Sequence, residues 1–157
     1  MKQYEQTGVL TSNDLVLPNK QQLKKGVAIS ECIQLIPCNP CVDSCPVDAI
    51  SMKDINSIPV INYDRCISCG KCVGVCPGLA LFIVKKTDEK GYVTIPYEMY
   101  PAPKNGLDVE VLDRSGKTIG KGIVIKVKKA GKTMIVTVEI NKDQVMDVRN
   151  IRVNDEL

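Results

Sequence analysis

Eight cysteines carry the chemistry that this sequence offers, and they form two similar runs. The first run is Cys32, Cys38, Cys41, Cys45 and Pro46, and the second is Cys66, Cys69, Cys72, Cys76 and Pro77. Thiolates are soft ligands that suit zinc, copper(I) or iron–sulfur clusters. A zinc ribbon uses two Cys-x2-Cys pairs around one ion. Four cysteines in one run, the last followed by proline, favour an iron–sulfur cluster instead.

The two runs belong to an internal repeat. The last three cysteines and the proline recur at an offset of 31 residues, but five residues separate Cys32 from Cys38 where two separate Cys66 from Cys69. Each run lies between two short β-like segments and contains one short helical segment. The predicted strands are 26–30, 49–52, 58–62 and 81–85, and the predicted helices are 41–48 and 72–80. This pattern predicts a doubled β-α-β unit with pseudo-twofold symmetry.

Between residues 26 and 85 the sequence resembles bacterial-type ferredoxins with two [4Fe-4S] clusters. In that family the fourth cysteine of each run binds the cluster of the other run. The resemblance implies that Cys32, Cys38, Cys41 and Cys76 hold one cluster, and that Cys66, Cys69, Cys72 and Cys45 hold the other. The longer loop after Cys32 departs from the family pattern but can still return its thiolate to the cluster. Because no cysteine is missing, we expect two [4Fe-4S] clusters.

Three regions differ in composition, and together they predict an α+β fold. Residues 1–23 read as an N-terminal extension with little structure of its own, and residues 24–100 contain every cysteine. Residues 101–157 begin with a Pro-Ala-Pro-Lys-Asn-Gly linker and then alternate apolar and polar residues. Alternation of period two is typical of half-buried strands. We therefore expect a ferredoxin-like cluster domain followed by a small antiparallel all-β domain, most simply a closed barrel.

The composition excludes several classes of enzyme. The chain has no histidine, which rules out a histidine-based triad and histidine-ligated metals. It also shows no paired carboxylates, activated serine or phosphate-binding glycine loop, so we expect no catalytic residues and no enzyme activity of the chain by itself. The net charge of +3 lies in residues 101–157, since the charges of residues 1–100 balance.

The segments outside the cysteine runs indicate the location and the partners of the protein. The apolar runs are too short to span a bilayer, and residues 1–25 lack the apolar core of a signal peptide. We expect a cytoplasmic protein, where clustered cysteines bind metal rather than form disulfides.

Four lysines surround the Ala130-Gly131 turn, and they read either as a solvated hairpin end or as a docking site for an acidic partner. Nucleic-acid binding is not expected because aromatic residues are not interleaved with them. The four are Lys126, Lys128, Lys129 and Lys132.

Two functional hypotheses remain open. The first is an iron–sulfur subunit of a larger oxidoreductase, which exchanges electrons with a flavoprotein or another redox centre. The alternative is a freely diffusing ferredoxin that serves several redox enzymes. A soluble carrier needs little beyond the cluster domain, whereas this chain has segments on both sides of it. The sequence therefore favours the subunit.

Overall fold

The computed structural model describes residues 1–154 and shows a mixed fold with few helices. The helices are α1 (Gln3–Thr7), α2 (Lys20–Lys25), α3 (Pro40–Ser44) and α4 (Lys71–Val75), with short 3-10 helices at Ser12–Asp14 and Lys142–Gln144. The strands are β1 (Val27–Ser30), β2 (Ile50–Ser51), β3 (Val60–Ile61), β4 (Leu81–Lys86), β5 (Gly91–Tyr97), β6 (Asp108–Leu112), β7 (Thr118–Ala130), β8 (Thr133–Ile140) and β9 (Asn150–Arg152).

Seven strands form one antiparallel sheet in the order β1-β4-β5-β8-β7-β6-β9, and β2 and β3 form a separate hairpin. The C-terminal region is antiparallel and contains four strands, β6 to β9, but the closed barrel predicted for it is wrong. Within residues 1–154, β9 pairs only with β6, so the sheet has an edge there. At the other end of the C-terminal region, β8 pairs with β5, which precedes residue 101. It does not pair with β9, as closure of a barrel within the C-terminal region would require.

The sheet continues across the predicted boundary between residues 100 and 101. Strand β5 pairs with β8 along its whole length, from Gly91 opposite Ile140 to Tyr97 opposite Met134. The segment 101–106 is an irregular connection, as the sequence predicts. It links neighbouring parts of one sheet rather than two separate sheets. The division into independent domains stays a prediction, and the shared hydrogen bonds argue against independent folding of either part.

The internal repeat is visible in the strand pairing. Ser30 lies opposite Leu81 in the β1–β4 pair, and Ile61 lies opposite Ile50 in the β2–β3 pair. These two pairs are related by the same offset of 31 residues that relates the cysteine runs. Helices α3 and α4 are related by that offset as well. The pseudo-twofold pattern predicted from the cysteines therefore extends to the backbone around them.

The helices of the repeat are shorter than the sequence predicts. They begin at Pro40 and Lys71 and end before Cys45 and Cys76, whose backbones are extended at ψ 114°. Each of these cysteines precedes a proline, which disfavours the helical conformation in the residue before it. The turn after the proline then brings Asp48 and Leu79 to positive φ values of 50° and 52°. The two copies thus turn in the same way after their fourth cysteine.

Strand β4 contributes to two hydrophobic cores. Phe82 packs into a core made with the C-terminal strands, whereas Leu81, Ile83 and Val84 pack with the cysteine-bearing helices. Alternation places Val84 on the same face as Phe82, so the two cores meet along this face of the strand. The cysteine region and the C-terminal region therefore share a structural element.

Strand β7 differs from the predicted alternation. The sequence predicts that Ile123, Ile125 and Val127 share a half-buried face, but Ile123 and Ile125 are exposed and Val124 is fully buried. A register shift between Val124 and Lys126 lies at this point of the pairing with β8. Such a bulge changes which side chains face inward, and it brings the partly buried Val127 to the core.

The N-terminal region also has more structure than expected. Helix α2 crosses the predicted boundary at residues 23 and 24, and the Asn19 side chain caps it by accepting a hydrogen bond from the backbone N–H of Gln22. The Nζ of Lys25 donates to the carbonyl oxygens of Tyr63 and Asp64 at 2.8 and 3.1 Å. The region before the first cysteine run is thereby attached to the second copy of the repeat.

We predict that a chain ending at Tyr100 loses cooperative folding. Truncation removes β6 to β9, leaves β5 as an edge strand that pairs only with β4, and exposes Ile95, which is fully buried in the complete chain. Circular dichroism during thermal unfolding and limited proteolysis will measure this. A truncated chain that unfolds as sharply as the full chain, and that still binds iron, would show that residues 24–100 fold independently.

Candidate metal centres

Four cysteines from both copies of the repeat line one cavity of about 220 Å³. We call this cavity site I. Its three cysteines from the first copy lie before or within α3, and its fourth comes from the end of α4. The cysteines of site I are Cys32, Cys38, Cys41 and Cys76. This set is the one that the family resemblance implies for the first cluster, and it includes Cys32 despite the longer loop.

The other four cysteines line a second cavity, which we call site II. It is narrower, at about 20 Å³, and apolar side chains such as Val47, Ile67 and Ile83 complete its wall. Three of its cysteines come from the second copy and one from the end of α3. The cysteines of site II are Cys45, Cys66, Cys69 and Cys72. The structure therefore brings together both crossed sets.

Backbone N–H groups point at the sulfurs of both sites. The N–H of Ala49 donates to Cys45 Sγ at 3.2 Å, and that of Ala80 donates to Cys76 Sγ at 3.4 Å. These bonds are equivalent in the two copies, and they follow from the positive-φ turns described above. Hydrogen bonds to cluster sulfur help to set the reduction potential. Four thiols with backbone donors around them fit the ligand requirements of a [4Fe-4S] cluster at each site.

Burial controls the acidity of the central thiols. Burial raises the pKa of Cys41 to about 11, and the neighbouring Cys76 thiol raises it by a smaller amount. Burial likewise raises the pKa of Cys72 to about 12, with a smaller contribution from Cys66. A desolvated thiolate is unfavourable without a positive partner. These thiols are therefore neutral at pH 7 in the absence of metal, and metal binding must displace their protons.

An uncharged apolar surface surrounds the opening of site I. Ile33 and Ile36 come from the longer loop and line the cavity, and Leu35 beside them is 73% exposed. Residues 32–42 and 55–63 contain no charged side chain. Ile55 and Ile58 come from the segment whose Ser57 and Pro59 line the cavity, and the N–H of Cys38 donates to the carbonyl oxygen of Ile55 at 3.1 Å. We call this surface the apolar rim and define it as Ile33, Leu35, Ile36, Ile55 and Ile58, all of which are exposed.

Site II lies instead beneath the C-terminal hairpin of β7 and β8. A Cβ added at Gly74 of α4 would lie 2.7 Å from Ala130 Cβ and 2.8 Å from Ile135 Cδ1. Gly74 thus permits a close approach that any side chain would obstruct. Lys126 and Lys128 line a cavity of about 80 Å³ together with Cys69, whereas Lys129 and Lys132 are exposed near the hairpin turn.

A buried ion-pair cluster behind site I is a feature that the sequence analysis missed. Glu31, which precedes Cys32, accepts hydrogen bonds on Oε1 from Arg114 Nε and Nη2 at 2.9 and 2.6 Å, and from Arg149 Nε at 2.8 Å. We call these three residues the Glu31 triad. Arg114 and Arg149 lie 83 and 118 residues after Glu31 in the chain, so no local pattern in the sequence indicates their contact. The one signal in the sequence is that Glu31 immediately precedes the proposed ligand Cys32.

Tyr63, three residues before the second cysteine run, is a packing residue. Its ring packs against the core of the cysteine region, and its hydroxyl donates to the carbonyl oxygen of Val16. Burial raises the pKa of Tyr63 above its ordinary value, with a smaller contribution from Cys66. The side chain helps to hold the N-terminal segment against the second copy.

Residues 1–154 contain neither a site for a single metal ion nor a helix that could cross a membrane. Their acidic and cysteine side chains form no group of three or more arranged around the position of one metal ion. In the same part of the chain, no helix has the length and apolar character needed to cross a membrane.

A protein-family model matches the cysteine region of the chain. Residues 31–80 match the model of the 4Fe-4S dicluster domain. The matched segment contains all eight cysteines and ends at Ala80, the donor to Cys76 Sγ. The family description favours iron–sulfur clusters over zinc, which is also a metal that cysteine thiolates bind.

Three curated proteins are similar to short segments of the chain. An uncharacterized ferredoxin of Methanocaldococcus jannaschii is 47% identical over 51 residues, which is 32% of each chain. The polyferredoxin-like subunit of an aliphatic sulfonate oxidoreductase of Pyrococcus furiosus is 45% identical over 47 residues, 30% of this chain and 27% of that one. The ferredoxin-type protein NapF of Haemophilus influenzae is 42% identical over 45 residues, 27% of this chain and 26% of that one.

These similarities cover less than a third of the length of each relative, and no solved structure matches the chain significantly. The family match covers residues 31–80 and does not include the C-terminal strands. Residues 31–80 are similar to a 4Fe-4S dicluster domain, and this part of the chain holds two [4Fe-4S] clusters.

Proposed function

We propose that this chain relays single electrons between two [4Fe-4S] clusters, one at site I and one at site II. The observation that carries the proposal is the lining of the two cavities, each by four cysteines drawn from both copies of the repeat. The proposed ligands at site I are Cys32, Cys38, Cys41 and Cys76. The proposed ligands at site II are Cys45, Cys66, Cys69 and Cys72.

The protein's contribution is to bind, shield and tune these clusters. A [4Fe-4S] cluster supplies reversible one-electron chemistry when bound. The backbone donors of Ala28, Ala49 and Ala80 stabilise negative charge on sulfur, and apolar residues such as Val73 limit access of water. Relatives are named as a ferredoxin and a ferredoxin-type protein, and we propose that this chain by itself carries electrons rather than catalysing a reaction.

We further propose that the chain is a subunit of a larger oxidoreductase, with a flavoprotein as its partner. The apolar rim supports this proposal, because exposed apolar surface beside a functional cavity is typical of a protein interface. One relative is named as a polyferredoxin-like subunit of an oxidoreductase. Absence of charge on the rim predicts a partner surface that is itself apolar, and contact there places site I toward the partner.

A freely diffusing ferredoxin remains the second candidate, and the name of one relative favours it. The two candidates differ in whether the chain is found in a stable complex. Size-exclusion chromatography of the natively expressed protein, with mass identification of co-eluting chains, separates them. The cytoplasm is the compartment we propose in either case, because free thiols must stay reduced until the clusters assemble.

We predict about eight irons and eight sulfides per chain after anaerobic purification, as two [4Fe-4S] clusters require. Reduction should bleach the broad visible absorption of the clusters. Iron, sulfide and zinc analysis of the same sample will measure this. Stoichiometric zinc in place of iron would contradict the proposed function.

We predict that Cys45→Ser and Cys76→Ser each remove about half of the iron, but from opposite sites, because each fourth cysteine serves the other copy's cluster. Electron paramagnetic resonance of the reduced variants should show a different remaining signal in each case. The two variants are matched controls, since both cysteines end a helix and accept from an alanine N–H. If Cys45→Ser instead removes the cluster of Cys32, Cys38 and Cys41, the crossing is wrong.

We predict that Leu35→Asp weakens binding of a co-purifying partner by about tenfold or more, because burying one unpaired carboxylate costs at least about 1.4 kcal/mol. Lys132→Glu, at the far hairpin turn, should leave binding unchanged and serves as the control. Affinity measured at low and high salt will test both variants. Loss of binding in Lys132→Glu alone would move the interface from the apolar rim to the C-terminal region.

A further inference from the structure

We propose that the Glu31 triad raises the reduction potential of the cluster at site I through its buried net positive charge. The inference rests on the proposed function, since it requires a cluster at site I. It concerns three residues that the family match and the relatives' names do not explain. Arg114 and Arg149 lie in the C-terminal region, outside the matched segment of residues 31–80.

The triad lies directly behind site I. Glu31 and Ala80 line both the site I cavity and a neighbouring cavity of about 250 Å³, which Arg114 and Arg149 also line. The backbone N–H of Glu31 donates to the carbonyl oxygen of Ala80 at 2.8 Å. Ala80 in turn donates to Cys76 Sγ. The triad is therefore connected to two proposed ligands of one cluster, Cys32 by sequence and Cys76 by hydrogen bonds.

The charges of the triad do not cancel. Two guanidinium groups face one carboxylate, and guanidinium groups stay protonated in proteins. The side chain of Arg149 is 4% exposed and that of Glu31 is 8% exposed. Nη2 of Arg149 is buried and has no hydrogen-bond partner, while its Cζ lies 5.1 Å from the centre of the Phe82 ring. A surplus positive charge is thus held in a poorly solvated place, where screening is weak.

The positive charge of the triad raises the reduction potential of the nearby cluster. Reduction adds one electron and one negative charge to the cluster and neither forms nor breaks a bond. A nearby buried positive charge stabilises the reduced form more than the oxidised form, and net charge around a cluster is one determinant of its potential. The second copy has no such arrangement, since Arg65, the residue before Cys66, is exposed.

The test is a redox titration of the full, anaerobically purified chain, with dithionite as the electron donor and detection by electron paramagnetic resonance. Arg114→Gln is the main variant, because Arg114 lies beside an exposed turn and its loss leaves Arg149 bound to Glu31. We expect the potential of the site I cluster to fall and that of the site II cluster to stay. Cys45→Ser and Cys76→Ser backgrounds assign each potential to its site.

Two control variants separate charge from structure. Arg114→Lys keeps the positive charge and should keep the potential near that of the unmodified chain. Lys128→Gln removes an exposed charge beside Cys69 and should shift only site II, by an amount that disappears at about 1 M salt, where the Debye length is about 3 Å. The Arg114→Gln shift should persist at that salt concentration because its charge is buried.

The outcomes distinguish this inference from the function on which it rests. Iron and sulfide contents of the unmodified chain test the clusters themselves. With both clusters present, an unchanged or raised site I potential in Arg114→Gln overturns the inference. Equal shifts at both sites, or the same fall in Arg114→Lys, also overturn it, because they indicate a general structural effect. A fall confined to site I and rescued by lysine supports it.

Discussion

The crossing of the fourth cysteine is the constraint on which the rest of the structure depends. Cys45 and Cys76 each end a helix in one copy of the repeat and line the cavity of the other copy. Neither cavity is complete until both copies have folded against each other. The short helices, the prolines that end them and the matched turns at Asp48 and Leu79 all follow from this requirement. With the proposed ligand sets, binding of metal is coupled to formation of the whole repeat.

The surroundings of the two sites are unequal although the repeat is symmetric. Site I opens at an uncharged apolar surface and lies against a buried ion-pair cluster, whereas site II lies under the β7–β8 hairpin beside exposed lysines. The differences come from segments outside the symmetric part, namely the longer loop after Cys32 and the C-terminal strands. Different electrostatic surroundings are a physical means of giving two similar clusters different potentials.

The C-terminal strands are an integral part of the cluster-bearing structure. They extend the sheet that begins with β1 and β4, they close over α4 where Gly74 leaves room, and they supply both arginines that bind Glu31. Breaking a buried ion pair by removing one partner typically costs about 3–5 kcal/mol, so these contacts make the C-terminal region important for the site I environment. The division at residues 100 and 101 that composition predicts is crossed by the hydrogen bonds between β5 and β8.

The sequence by itself determined the local chemistry of this protein. Cysteine spacing indicated the ligand type and the repeat, and alternation located most C-terminal strands, because both patterns depend on neighbours in the chain. Tertiary structure decided the rest. The barrel was wrong because β5 offers β8 a pairing edge, and the alternation in β7 failed at a bulge beside Val124. The Glu31 triad joins residues up to 118 positions apart. Such contacts depend on three-dimensional packing, which no local pattern of residue types encodes.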